Sequence, residues 1–283
     1  MRCAMADLPA AIGDDGRRPV PRPASGVVTQ SGGQPGERNQ SILPLTIERL
    51  SFRVGEANVL DDLSFTIERG TRNIVLGPNG AGKSVLLRAL HGLLAPTSGR
   101  IRWTLAEGLR VRQAQSMVFQ RPVMLRRSAL DNVRFALAIR AERAATVAIH
   151  DIDIDASAMR ALDHVGLASL AARPARLCSI GEQQRIALAR AWALAPEVLF
   201  LDEPSASLDP AATRAVEDVI GAMHAAGTTI VMTTHDLGQA RRLADRVLFL
   251  HRGRLLEDAA AASFFAEPSS PEAAAFINGE LLW

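Results

Sequence analysis

The chain of 283 residues has little cysteine: Cys3 and Cys178 only. One pair cannot staple a small secreted scaffold, and neither residue has neighbours at metal-ligand spacing. Tyrosine is absent and aromatics make up 4% of the residues. A nucleic-acid-binding face concentrates basic charge with aromatics interleaved. Here 32 Lys+Arg stand against 30 Asp+Glu, and arginines such as Arg17, Arg18 and Arg22 are scattered. Solvated surface charge accounts for them, so no nucleic-acid partner is expected. No window approaches the run of about 18 charge-free apolar residues that spans a bilayer. The opening segment Met1–Ser41 lacks the apolar stretch of a signal peptide, which predicts a cytosolic protein. The lack of any sustained short period excludes collagen-like and coiled-coil fibres. What is present is 48% hydrophobic residues, enough for a substantial core and too many for disorder throughout.

Residues 1–43 are rich in Gly, Pro, Arg, Ser and Gln, and read as a disordered leader or an over-long start, since Met5 serves equally well. Order is expected from about Leu43. Leu45–Leu50 and Val59–Ile67 read as short strands, and Asn73-Ile74-Val75-Leu76 as a buried strand ending at glycine. A helix over Lys83–Leu94 follows, closed by the turn Pro96-Thr97-Ser98-Gly99. The runs Met117–Phe119, Val198–Leu201, Thr229–Met232 and Val247–Leu250 read as buried parallel strands, with helices over Gln183–Leu194 and Ala211–Ala226. Strands alternating with helices predict an α/β core. Alanine-rich Arg126–Arg176 reads as a helical insertion. Within it, Asp151-Ile152-Asp153-Ile154-Asp155 lacks the glycine and distal glutamate of a calcium loop and reads as a solvated approach to a helix.

Three motifs carry chemistry. Gly77-Pro78-Asn79-Gly80-Ala81-Gly82-Lys83-Ser84 fits the phosphate-loop pattern, directly after a strand and before a helix. Its glycines let backbone N–H groups converge on phosphate oxygens, and the helix adds its positive end. Lys83 supplies charge for the β- and γ-phosphates, and the Ser84 hydroxyl is a Mg²⁺ ligand. A chance match arises in about one chain in a hundred of this length, and the strand–loop–helix context lowers that further. The second motif is the apolar run Val198–Leu201 capped by Asp202 and Glu203, two carboxylates where ligands collect in open α/β sheets. Asp202 is placed for the Mg²⁺ shell, Glu203 for activating water as general base. An N-K-x-D guanine motif is missing, which argues against GTPases. The third motif is Cys178-Ser179-Ile180-Gly181-Glu182-Gln183-Gln184-Arg185, just before a helix and upstream of the acidic strand.

With this third motif the chain resembles the ATP-binding cassette (ABC) family, whose signature reads L-S-G-G followed by E-Q-Q-R. Gln120 is similar to the Q-loop glutamine, Ser205–Asp209 to the D-loop, and His235 to the switch histidine, all in family order over about residues 44–255. The resemblance implies a P-loop NTPase (RecA-like) parallel-sheet core, an N-terminal antiparallel β subdomain and an inserted α-helical subdomain at about 121–180. A C-terminal helical tail would occupy 256–283. It implies ATP and Mg²⁺ as cofactors. It also implies a homodimer in which Ser179, Gly181, Glu182 and Asp209 help close the partner's nucleotide site. Glu203, His235, Gln120 and Lys83 would be catalytic; Ser84, Gln120 and Asp202 would serve the metal; Val54 would take the adenine-stacking position. Because the chain has no membrane span, the resemblance further implies separate permease subunits, an indirect periplasmic solute-binding partner and a peripheral place on the cytoplasmic face of the inner membrane.

Val123-Met124-Leu125 resembles an apolar patch for the permease. The stretch after His235 is too short for an added β-barrel regulatory domain, and its Phe264–Pro268 and Phe276–Glu280 segments resemble compact importer ATPases. Arg121–Arg127 and Leu281-Leu282-Trp283 are most similar to the tungstate type. Phosphate, amino-acid, export and lipoprotein-release complexes are the alternatives. Two departures stand out. Ile180 replaces the first signature glycine: either that backbone position is ordinary, or β-branching strains it and Ile180→Gly would raise ATPase rate. Val54 replaces the stacking aromatic, with Phe52 two residues earlier as a substitute.

Overall fold

The computed structural model describes residues 41–104, 108–144 and 153–280. Most of the leader, Asp151, Ile152 and Leu281–Trp283 lie outside the described residues. The chain runs up β1 (Leu45–Val54), turns at Gly55 and returns as the antiparallel β2 (Ala57–Ile67). It then passes through β3 (Arg72–Leu76) into α1 (Lys83–His91) and out to β4 (Ser98–Trp103), which pairs with the free edge of β1. The result is a three-stranded antiparallel sheet, β2-β1-β4.

A short α2 (Leu109–Gln113) and β5 (Gln115–Val118) lead to the helices α3 (Ala129–Ala144), α4 (Ile154–His164) and α5 (Ile180–Ala193). Strands and helices then alternate: β6 (Val198–Asp202), α6 (Pro210–Ala225), β7 (Thr229–Thr233), α7 (Leu237–Leu243), β8 (Arg246–His251). The chain finishes as β9 (Arg254–Ala260), α8 (Ala261–Ala266) and α9 (Pro271–Ile277). The larger sheet is ordered β5-β6-β7-β3-β8-β9, parallel except for the last strand.

Both faces of the four inner strands β6, β7, β3 and β8 are buried, which is why they read as apolar runs. Leu199 and Leu201 of β6 join the core beneath α3–α6, while Val198 and Phe200 join a second core shared with β1, β2 and α1. The same split divides Ile230 and Met232 from Val231, and Val247 and Phe249 from Leu248 and Leu250. Each fully buried aliphatic or aromatic side chain contributes about 1.5–3 kcal/mol.

Several sequence expectations need correction. Ser41, Ile42 and Leu43 are not leader: Ser41 Oγ and the Ile42 amide both donate to Glu197, and the Ile42 side chain is wholly buried. Helix α1 stops at His91 because Gly92 takes a left-handed C-cap (φ 84°), and Ser98-Gly99 opens strand β4 rather than closing a turn. Residues 256–260 complete β9, so the tail turns helical only from Ala261. Phe264 and Phe276 then pack on Phe249 of β8, and Glu257 accepts from the Ser269 and Ser270 amides. Asp153 is the N-cap of α4, accepting from the Ala156 amide, as a solvated helix approach requires.

Candidate active site

The phosphate loop joins β3 to α1 at the carboxyl end of the parallel sheet, and close packing dictates its glycines. Gly77 (φ 149°) lies so near β8 that a Cβ would fall 2.0 Å from the Leu250 carbonyl oxygen. Gly82 (φ 99°) would put one 2.7 Å from the Val59 carbonyl. No other residue type fits either place. Pro78 is half-buried and its carbonyl accepts from the Ala81 amide, while Asn79 and Gly80 form the exposed tip. Lys83 is buried beneath the loop, its Nζ donating to the carbonyls of Gly77 (2.8 Å) and Pro78 (3.0 Å). Burial pushes its ammonium pKa down, opposed by the carboxylates of Glu203 and Asp202.

Strand order sets the rest. β7 lies between β3 and β6, so Thr233 at its end stands level with both Val75 and Asp202. Its Oγ donates to Asp202 Oδ1 (2.9 Å) and accepts from the Glu203 amide (3.0 Å). Ser84 Oγ donates to the same Asp202 oxygen at 2.7 Å, and Arg88 of α1 approaches the other at 3.9 Å. Glu203 has left-handed backbone (φ 45°), which turns the chain away from the sheet directly after the buried Asp202. Its carboxylate lies 3.9 Å from Lys83 Nζ, and His235 Nδ1 donates to it at 3.1 Å. Lys83, Ser84, Asp202, Glu203 and His235, drawn from three separate loops, are therefore one cluster. A hard divalent cation takes oxygen ligands and keeps several waters. The Ser84 hydroxyl and Asp202 carboxylate are donors of that kind and would hold one.

Other predicted residues stand apart. Gln120 is exposed just beyond β5, which pairs with β6 in register Val118↔Leu201, so it flanks the carboxyl end of β6. Val54 ends β1 at 60% exposure, whereas Phe52 packs against the second core. A register shift between Phe52 and Arg53 lies between these two positions. Of the two, Val54 is the exposed residue. Of the proposed permease patch, Val123 is 71% exposed but Met124 is core.

The signature forms the start of α5. Ser179 is its N-cap in a reciprocal box: the Glu182 amide donates to Ser179 Oγ (3.2 Å) and the Ser179 amide to Glu182 Oε2 (2.7 Å). Ile180 is the first helical residue, with ordinary right-handed backbone, and is 63% exposed. The strain argument against isoleucine therefore falls. Gly181 is the demanding position, since a Cβ there would lie 2.8 Å from Ala212 Cβ on α6. Asp209 caps α6 through the Ala212 amide (2.8 Å). These residues bond and pack among themselves and with α6.

Sequence reasoning passed over Thr233 and Arg88. Thr233 was visible as a hydroxyl ending an apolar strand, but its partners follow from strand order alone.

The profile of the ABC transporter family matches residues 60–206. A phosphate import ATP-binding protein (PstB 2) of Natronomonas pharaonis is 35% identical over 90% of this chain and 93% of its own. The tungstate uptake ATP-binding protein TupC of Peptoclostridium acidaminophilum is 34% identical over 76% of this chain and 98% of its own. Among solved structures, cbiO1 of Clostridium perfringens, part of the transporter complex cbiONQ, superposes with a TM-score of 0.69 at 28% identity. That match covers 84% of this chain and 95% of cbiO1. With the phosphate loop, the Asp202–Glu203 strand end and the Ser179 helix start in place, the chain belongs to the ABC transporter family as one of its ATPase domains.

Proposed function

We propose that this chain hydrolyses ATP to ADP and phosphate to drive import of an oxyanion, of the tungstate type, through separate permease subunits. The observation that carries the ATPase assignment is the cluster in which Ser84 and Thr233 share Asp202 while Lys83 and His235 flank Glu203. ATP would lay its β- and γ-phosphates over the loop amides and Lys83, displacing the ammonium from the Gly77 and Pro78 carbonyls. Ser84 and Asp202, with Gln120 alongside, would hold Mg²⁺, which when bound neutralises phosphate charge. Glu203 would take the proton of the attacking water, oriented by its hydrogen bond from His235. The start of α5 is exposed and self-capped, which supports a homodimer whose partner supplies the nucleotide that Ser179, Gly181 and Glu182 would face. Glu203→Gln should cut steady-state ATPase at least about a hundredfold. ATP binding should be retained and a nucleotide-bound dimer should accumulate on size exclusion. Parental turnover in this variant would sink the assignment.

The solute rests on likeness to oxyanion importers. Their working place supports a peripheral position on the cytoplasmic side of a membrane, with a solute-binding protein outside. Phosphate is the second reading, favoured by the longer match to the phosphate relative, 90% of the chain against 76%. Reconstituted with its permease and binding protein, the chain should show turnover stimulated by tungstate. Stimulation by phosphate instead, or by glutamine alone, would reassign the solute.

A further inference from the structure

Behind the loops that carry Glu203 and His235 lies a buried polar chain with no part in the chemistry proposed above. Gln239, in the first turn of α7, is 0% exposed, and Glu217 of α6 is 4% exposed. Gln239 Nε2 donates to Ser205 Oγ at 2.7 Å and to Glu217 Oε1 at 3.2 Å. Arg242 grips the same carboxylate from Nε (2.9 Å) and Nη2 (2.6 Å). A buried carboxylate persists only when paired and hydrogen-bonded, and this two-pronged fork meets that need.

Glu217 also dictates the Gln239 amide. An ionised carboxylate only accepts, so Gln239 must turn its NH2 toward Glu217, and the same group then reaches Ser205. Gln239 Oε1 is left buried without a partner, a cost the reversed amide would incur more heavily. Ser205 Oγ is thereby held as an acceptor, with its own hydrogen free to donate. Ser205 lines a cleft of about 200 Å³ together with Glu203, Thr234 and His235. The loop it belongs to is strained at two points, Glu203 (φ 45°) and Ser207 (φ 65°), conformations that persist only where surrounding contacts over-determine them.

We propose that Gln239, oriented by Glu217 and Arg242, is a positioning residue for hydrolysis. It clamps the loop after β6 to the start of α7, keeps Glu203 and His235 at hydrogen-bonding distance, and presents the Ser205 hydroxyl to the cleft. The inference rests on the reading of Glu203 as the base. The test is steady-state ATPase of the full chain with its permease, alongside MgADP titration of the chain alone. Gln239→Leu keeps side-chain volume but removes both donors; its kcat should fall about ten- to a hundredfold. Its KM for ATP and its MgADP affinity should stay within about twofold of the parent's, the mark of lost transition-state alignment. Ser205→Ala should lower kcat in the same way, and the double variant should fall no further than the worse single one.

A kcat within about twofold of parent for Gln239→Leu, or fully additive losses, would overturn the clamp. Should Gln239→Leu fail to fold, Ser205→Ala decides alone: parental kcat there overturns the proposal. A parent that itself shows no ATP turnover counts against the functional reading, not against the clamp.

Discussion

On the function proposed above, the phosphate-loop end of the sheet and the start of α5 would both meet phosphate, but they are finished to different degrees. At the first, Lys83 and Asp202 are buried, and carbonyls, hydroxyls and carboxylates already hold one another. At the second, Ser179 and Ile180 are exposed, and the Ser179 hydroxyl and Glu182 carboxylate each accept from the other residue's amide. On the proposed reading, one chain would complete half of a nucleotide site and present the other half outward. The lesson is that the two halves should fail separately when altered.

The sharpest test of that separation is Gly181→Ala. The new Cβ forces α5 off Ala212, so ATPase should drop about tenfold or more, while MgADP binding by a single chain stays parental. Ala212→Gly in the same chain should restore the rate, as followed by steady-state turnover. Loss of nucleotide binding in Gly181→Ala would dissolve the distinction between the halves.

Next in size is Thr233→Val on the buried half. It leaves Asp202 short of one donor and the Glu203 amide short of its hydroxyl acceptor. Unfolding stability should fall by about 1–3 kcal/mol in urea titration, with weaker Mg-nucleotide binding. A variant matching the parent in both would show that Asp202 does not need β7.

Ile180→Gly should change less. The isoleucine sits in unstrained helical backbone, so no rate gain is expected; glycine there costs the helix at most about 1 kcal/mol. A clear rise in ATPase would restore the strain argument and imply that closure reshapes this turn.

Asp245→Asn, at the opposite end of β3, is the smallest and serves as a control for both halves. Asp245 accepts from the Arg72 amide and guanidinium, which holds its carboxyl below the usual range. Because the folded pKa is depressed, the pair's stabilisation is present above the ordinary carboxylate range and lost as pH falls through the lowered value. The variant should cost about 1 kcal/mol or less at neutral pH, nothing in strong acid, and leave ATPase unchanged. A stability difference that persisted in strong acid would contradict the ion-pair account.

Much of this architecture was legible in advance. The strands buried on both faces announced themselves as apolar runs, and glycine spacing located the phosphate loop before any fold was known. β4 and β9 were not legible. Ser98–Trp103 has only Ile101 and Trp103 as large apolar residues, with glycine and arginines on a largely exposed edge, too short a pattern to mark a strand. Arg254–Ala260 carries acids and alanines that suit a helix equally well, and pairs only because β8 offers an edge. The backbone at Ile180 was left open by the sequence for a related reason: residue type alone cannot say on which side of a helix start a position falls, and the Ser179–Glu182 box settles that.

The order of residues along the chain by itself determined the chemical kit: a glycine-rich anion loop, a lysine, two acids closing a strand, a histidine and a capped helix. Tertiary structure alone decided that Asp202 accepts from both Ser84 and Thr233, that Gly181 rather than residue 180 cannot bear a side chain, and that Gln239 reaches Ser205. The physical reason is range. Backbone preference and hydrophobic period act over a few residues and are written locally, whereas hydrogen bonds and steric contacts between loops depend on which strands become neighbours in the sheet.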